Sequence, residues 1–148
     1  MELPADQRIV ALNDRHLEGI EALLEKCGLP FEDCNEQLEN FFGIIDNNKL
    51  AVTGAVQIQG PYALLRSIAV LPEKRGLGLA AAMTQYLLAL ARSKQVHEIY
   101  LLTETAENYF SRFGFFAVDR KSLPGYIRST RQFDSLCPSD ARAMRLDL

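Results

Sequence analysis

The apolar positions of this chain fall into short blocks, and their period changes near residue 72. Ile9 to Leu12 is an apolar run of strand length. Asn13 follows as an N-cap, and Leu17, Ile20, Leu23 and Leu24 recur at helical spacing as far as Gly28, with Pro30 just beyond. Glu36 to Asn40 is a short helix-like piece that leads into a strand, Phe41 to Ile45. Asp46-Asn47-Asn48-Lys49 has the residue types of a hairpin turn, and Leu50 to Gln59 is the returning strand. Gly60-Pro61 turns the chain again into a strand from Tyr62 to Leu71. Three strands joined by such tight turns must form an antiparallel meander.

Beyond that point strands and helices alternate. Pro72 to Ala80 is a turn rich in glycine and charge, and Ala81 to Lys94 is a helix with Met83, Leu87, Leu90 and Ala91 on one face. His97 to Leu102 is a strand entered from that helix, so it should run parallel to the strand before it. Thr105 to Phe113 has a helical pattern ended by Gly114, and Phe115 to Val118 is another strand. Pro124 to Phe133 reads as helical or turn-like, and Ala141 to Leu148 alternates as a final edge strand would. The expected fold class is α+β, a mixed α/β arrangement with a central mixed sheet, an antiparallel N-terminal meander and helices on both faces. No repeat or linker composition divides the chain, so residues 1–148 are expected to form one domain.

Composition narrows the function classes. A chain of 148 residues, 48% apolar and 24% charged, is an ordinary globular domain able to close a core. Its net charge of -3 gives no electrostatic reason to expect nucleic acid or an anionic membrane surface. No apolar run reaches the ~18–20 residues of a membrane span, and the start MELPADQR lacks the apolar stretch of a signal peptide. A cytoplasmic protein with neither membrane nor nucleic acid as partner is expected. Cys27, Cys34 and Cys137 then read as reduced thiols. Cys27 and Cys34 are too far apart for a zinc-type pair and have no histidine nearby, so no metal is expected.

The chemistry concentrates in Arg75-Gly76-Leu77-Gly78-Leu79-Ala80, between a strand and a helix. A helix start exposes unpaired N–H groups and the positive end of its dipole, and small residues at Gly76, Gly78 and Ala80 let an anion approach them. Arg75 adds a charge that suits phosphate, so the turn reads as a diphosphate site. Alternatively, the glycines serve only to turn the chain sharply. A Walker loop is a poor fit, because Ala81 and Ala82 stand where Lys and Ser or Thr are needed. A Rossmann loop is a poor fit because an antiparallel meander precedes it.

These residues resemble the GNAT superfamily of N-acetyltransferases. Arg75, Gly78 and Ala80 match its cofactor motif behind Ser67-Ile68-Ala69-Val70-Leu71-Pro72-Glu73, and Ala106, Phe110, Gly114 and Phe115 match the spacing of a second motif. Leu65 to Val70, Tyr100 to Thr103, Ile127 to Phe133 and Leu136-Cys137-Pro138 are similar to small bacterial arsenic-resistance acetyltransferases, themselves similar to the acetyltransferase domain of N-acetylglutamate synthases. The resemblance implies acetyl-CoA as co-substrate, without a metal, in a V-shaped opening between two neighbouring strands. Its pantetheine arm would pair with the backbone of Ile68, Ala69 and Val70, and its diphosphate would lie over Arg75, Gly76, Leu77, Gly78, Leu79 and Ala80. Asn108 and Phe110 are the further positions that the resemblance gives to the cofactor.

Two features depart from that pattern. Many members carry a proton-donating tyrosine where this chain has Phe110, and Tyr109 beside it is turned by about 100° on a helix. Tyr109 is the candidate acid, and a thiolate that leaves unassisted is the alternative. Glu104, at the end of a strand, is the candidate base; otherwise it is a solvated acid that caps the next helix with Thr103 or Thr105. Arg66 interrupts an apolar strand, which costs stability unless its charge is used or paired. Arg128 and Arg131, three apart on a helix, would share a face and either clamp a carboxylate with Arg66 or stand in solvent. The leading function is acetyl transfer to the amine of a small acid-bearing molecule, an amino acid or glutamate-like analogue. The alternatives are a catalytically weak acyl-CoA-binding regulatory module and a protein N-acetyltransferase. An edge strand at the C-terminus would offer a pairing edge for a homodimer.

Overall fold

The turns of the meander are built from residues whose backbones occupy the left-handed region. Asn47 and Asn48, with φ of 52° and 61°, form the two-residue turn between β2 (Phe41–Asp46) and β3 (Lys49–Gln59). Gly60, at φ 59°, turns β3 into β4 (Tyr62–Val70). The computed structural model describes residues 8–136 and 140–148, and Cys137 and Pro138 lie outside them. The fold is mixed α/β. Its seven-stranded sheet has the order β1-β2-β3-β4-β5-β7-β6, with β1 at Ile9–Ala11, β5 at Glu98–Thr103, β6 at Phe116–Val118 and β7 at Arg142–Asp147. The chain forms two compact units, one from the chain up to Ala55 with Ser67–Leu88, the other from Val56–Arg66 with Ala89–Leu148.

In the first unit β1 and β2 are antiparallel, with Ile9 opposite Ile44, and β2 pairs with β3 from Phe41↔Ala55 to Asp46↔Lys49. Asn13 caps the turn before α1 (Leu17–Lys26): its side chain accepts from the Arg15 N–H, and its own N–H donates to His16 Nδ1, each at 3.0 Å. Ile20, Leu23 and Leu24 of α1 are buried, and Gly28, at φ 72°, ends it. Helix α2 (Leu79–Ser93) starts two residues before the expected Ala81. The reason is local: Gly78 already supplies the carbonyl that accepts the Ala82 N–H at 3.0 Å, so Leu79 and Ala80 belong to the first turn. Leu79, Met83 and Leu87 are buried, whereas Leu90 of the expected face is half-buried and Leu88 is buried instead. A Cβ on Gly54 would lie 2.6 Å from Met83 and 2.9 Å from Leu87, so β3 needs glycine where α2 packs.

In the second unit β5 is parallel to β4 from Tyr62↔Glu98 to Leu64↔Tyr100 and antiparallel to β7 from Glu98↔Asp147 to Thr103↔Arg142. β6 pairs with the other side of β7. The C-terminal strand is therefore interior, not the expected edge, and the homodimer contact drawn from an exposed terminal strand has no free edge there. Alternation reports that one face is buried, and it carries no information on how many neighbours a strand has. Helix α3 (Glu107–Ser111) is shorter than the expected Thr105 to Phe113, because the Thr103 hydroxyl accepts the Ala106 N–H at 2.9 Å and sets its start. The segment from Pro124 splits into α4 (Gly125–Arg128) and a π-helical turn, Gln132–Leu136. Between them the Thr130 hydroxyl donates to the Ile127 carbonyl at 2.7 Å and accepts from the Phe133 N–H at 3.3 Å, competing with helix continuation. Arg128 and Arg131 thus do not share a helix face. Leu64, Tyr100, Leu123, Ile127 and Ala143 form the core of this unit.

Candidate functional site

The first unit carries the glycine turn. Gly76 and Gly78 have φ of 80° and 79°, a conformation other residues enter only at a cost. A Cβ built on either would meet nothing within 4 Å, so the space in front of both backbones is open. Leu77 between them is 56% exposed. The turn is held to the β2–β3 hairpin by two ion pairs, Lys74 with Asp46 at 2.6 Å and Lys49 with Glu73 at 3.5 Å. With the unpaired N–H groups that open a helix, this open cradle fits the diphosphate of a CoA-type molecule. The positive φ also satisfies the purely conformational reading, in which the glycines only turn the chain.

Arg75 is exposed and turned back on the end of β4: its Nε donates to the Val70 carbonyl at 3.3 Å, and Nη2 reaches Cys27 Sγ at 3.5 Å. The Cys27 thiol points at the same carbonyl, 3.7 Å away. The C-terminal end of α1 thereby helps to place the turn's cation, a contact that nothing in the local sequence announces. On β4, Ser67 has φ 63° inside a strand and its carbonyl accepts the hydroxyl of Thr53 at 2.9 Å. This kink comes immediately before Ile68, Ala69 and Val70, the segment expected to pair with pantetheine. Serine is not a residue that signals a left-handed backbone, so the strand reads as unbroken from the sequence. The one available hint was a threonine in the apolar centre of β3.

The second unit holds Arg66, 3% exposed, donating from Nη1 to Gln57 Oε1 at 3.0 Å. Gln57 is 5% exposed, and its side chain lies beside the Tyr126 phenol of α4. Burial raises the Tyr126 phenol above its ordinary value, and the Gln57 amide acts in the opposite direction. Arg128 and Arg131 are both exposed. Glu104 and Asn108 are exposed as well, Glu104 in the bend after β5 and Asn108 on α3. The Thr103 hydroxyl, not the Glu104 carboxylate, accepts the N–H at the start of α3. Tyr109 packs edge-on against Phe110 at 5.1 Å and Phe113 at 5.4 Å, with the Arg112 guanidinium over its ring. Phe110 is buried and also meets Phe115 at 6.0 Å. Among the described residues, no group of three or more His, Cys, Asp and Glu side chains could hold a metal ion, and no helix is long and apolar enough to cross a membrane.

The model of the acetyltransferase (GNAT) family matches residues 9–115. Similar solved structures include a Mycobacterium tuberculosis protein in complex with CoA, at TM-score 0.79 and 19% identity over 95% of this chain and 99% of that one. N-acetylglutamate synthase from Neisseria gonorrhoeae, complexed with coenzyme A and N-acetyl-glutamate, superposes at TM-score 0.83 and 17% identity over 99% of this chain but 36% of its own. A ribosomal-protein alanine N-acetyltransferase from Escherichia coli superposes at 0.73 and 20% identity over 95% and 93% of the two chains. At these identities the likeness is one of fold. No curated protein sequence matches the chain significantly.

Proposed function

The chain belongs to the acetyltransferase (GNAT) family, and on that premise we propose that it acetylates the amine of a small acid-bearing molecule in the cytoplasm, an amino acid or glutamate-like analogue. Acetyl-CoA, when bound, supplies a thioester carbonyl open to amine attack and a thiolate able to leave. The backbone of Arg75 to Ala80 and the Arg75 side chain hold the diphosphate, and Asn108 and Phe110 make further contacts. Backbone groups of Ile68, Ala69 and Val70 hold pantetheine, and one of their N–H groups stabilises the oxyanion. Glu104 takes the proton of the attacking amine, directly or through water, and Tyr109 is the donor to the leaving sulfur if one is needed. The finer likeness to the arsenic-resistance acetyltransferases rests on Leu65 to Val70, Tyr100 to Thr103 and Ile127 to Pro138, and carries no acceptor identity of its own.

The observation that carries the acceptor class is Arg66. A guanidinium held at 3% exposure has its five-donor fork fixed in place, and a fixed fork recognises a carboxylate bidentately. Arg128 and Arg131 complete the proposed clamp from α4 and the turn after it. Phe110, which has no proton to give, favours one second reading, an acyl-CoA-binding module with little catalysis.

The test compares wild type with Arg66→Gln, Arg128→Gln and Arg131→Gln on an acidic amino acid and its amide. Each true clamp residue, once replaced, loses most of the preference for the acid, through KM more than kcat, while acetyl-CoA binding holds. Retention of the preference in all three variants, or a wild type that prefers polyamines or peptides, removes the acid-bearing acceptor and leaves acetyl transfer standing.

A further inference from the structure

Arg131 stands on a stretch of the second unit with little regular structure. Helix α4 before it has four residues, and the π-helical turn Gln132–Leu136 after it is a rare form that recurs at functional sites. An exposed arginine has a long side chain with much freedom to lose, so it grips a carboxylate well only when the backbone beneath it is fixed. Before Arg131 the anchor is Thr130. Its hydroxyl donates to the carbonyl of the fully buried Ile127 at 2.7 Å, and its carbonyl accepts the Asp134 N–H at 2.9 Å. After Arg131 the anchor is Phe133, whose N–H donates to the Thr130 hydroxyl at 3.3 Å and whose ring packs against the core of Leu64, Tyr100, Leu123 and Ile127. Arg120 reaches this ring from another turn, Arg120–Ser122. Its guanidinium carbon lies 4.5 Å from the centroid of the Phe133 ring, and its Nη1 donates to the Ala141 carbonyl at 2.9 Å. The Asp119 carboxylate accepts the Lys121 N–H at 2.9 Å and so holds the turn on which Arg120 stands.

We propose that Arg120 is a positioning residue for the acceptor clamp: through the Phe133 ring it fixes the backbone that carries Arg131. This rests on the acid-bearing acceptor proposed above and on Arg131 as a member of its clamp. A guanidinium suits the task because it lies flat on a ring while its edge donates to a carbonyl, which an ammonium cannot do. Arg120 is half-buried, so the stack is shielded from water more than a fully exposed pair would be. All the residues of this arrangement belong to one unit. The route runs through Phe133 to Arg131 and not to Arg128, whose helix is tied to the core by Ile127. Arg120 therefore acts on recognition of the acid group through one arginine of the clamp.

The decisive variant is Arg120→Gln, which keeps a donor for the Ala141 carbonyl and removes the cation from the ring. With glutamate and its amide glutamine as acceptors, KM for glutamate should rise by roughly fivefold, the scale of one such cation–ring contact. KM for glutamine, KM for acetyl-CoA and kcat should hold. A merely structural contact would instead raise both acceptor KM values together, or lower kcat with the melting temperature, and either result overturns the proposal. Double variants test the route: Arg120→Gln should add nothing to Arg131→Gln and should add its full effect to Arg128→Gln. Full additivity with Arg131→Gln overturns the proposal as well. A second readout needs no turnover. The chain has no tryptophan, so Phe133→Trp places a single indole under the guanidinium. Its fluorescence, titrated with glutamate in the presence of CoA, should half-saturate at a higher concentration once Arg120→Gln is added. If wild type prefers glutamate and Arg120→Gln keeps both its KM and the half-saturation point, the role of Arg120 is overturned while the acceptor class stands. A wild type with no preference for glutamate overturns both. Should Arg120→Gln fail to fold, Arg120→Lys, which keeps the charge without the flat stack, is expected to raise KM for glutamate in the same way, and an unchanged KM there overturns the proposal.

Discussion

Thr53 donates its hydroxyl to the main-chain carbonyl of Ser67 at 2.9 Å, and Ser67 is the only non-glycine residue with positive φ inside a strand among those described. The left-handed conformation costs a serine about 1–2 kcal/mol, and a hydrogen bond of about 1 kcal/mol from the buried Thr53 side chain is large enough to help hold it. The kink so maintained ends one residue before the segment assigned to the pantetheine arm. Replacing Thr53 by Val keeps the shape and removes the bond. Stability to urea should fall by about 1–2 kcal/mol, and kcat should fall by roughly tenfold with KM for the acceptor little changed. Full kcat in a destabilised variant would separate the kink from catalysis.

Gly78→Val tests the cradle. Its φ of 79° makes any side chain strained, so the unliganded protein should itself melt lower. The informative quantity is the further rise on adding acetyl-CoA, which should be present in wild type and lost in the variant. A variant that melts lower but gains the full rise would place the diphosphate elsewhere.

Tyr109 and Phe110 test proton donation. Phe110 sits in an aromatic cluster with Tyr109 and Phe115, so Phe110→Tyr should leave kcat unchanged or raise it modestly. Tyr109→Phe should cost little if thiolate leaves unassisted. A loss of several hundredfold or more, with the fold intact, would identify Tyr109 as the acid.

Tyr100 sets an alkaline limit on stability. Burial first, then its hydrogen bond to Glu98 and that carboxylate's charge, raise its phenol well above the ordinary 10.0. Because the unfolded chain ionises first, this contribution is fully present below pH 10 and is lost as pH climbs towards the folded value. Urea midpoints measured from about pH 8 to about pH 11 should fall more steeply in wild type than in Tyr100→Phe. Parallel curves would show that the phenol does not control alkaline unfolding.

Strand and turn positions were legible because their signals are local. Asn47-Asn48, Gly60, Gly28 and Gly114 each mark a backbone conformation that few other residues adopt, and all have positive φ. The glycine turn was legible for the same reason. What the sequence hid depends on neighbours distant along the chain. The interior place of β7 follows from pairing with β5 and β6, which its alternating pattern does not encode. The Thr53–Ser67, Gln57–Arg66 and Cys27–Arg75 contacts join different elements. Arg66 stood out as a charge among apolar residues, but its partners did not. The helix expected to align Arg128 with Arg131 failed at Thr130, whose hydroxyl competes for the backbone.

The central claim is acetyl transfer from acetyl-CoA to a small acid-bearing amine. It is tested most directly by incubating the wild-type protein with acetyl-CoA and a panel of acidic amino acids, phosphinic and arsenic-containing analogues, polyamines and peptides, with free CoA and acetylated acceptor measured together by mass spectrometry. The account expects CoA and an N-acetylated acidic molecule to appear in equal amounts and at equal rates. Binding of acetyl-CoA that raises the melting temperature without acetylating any member of the panel would contradict it and leave the binding module as the surviving reading.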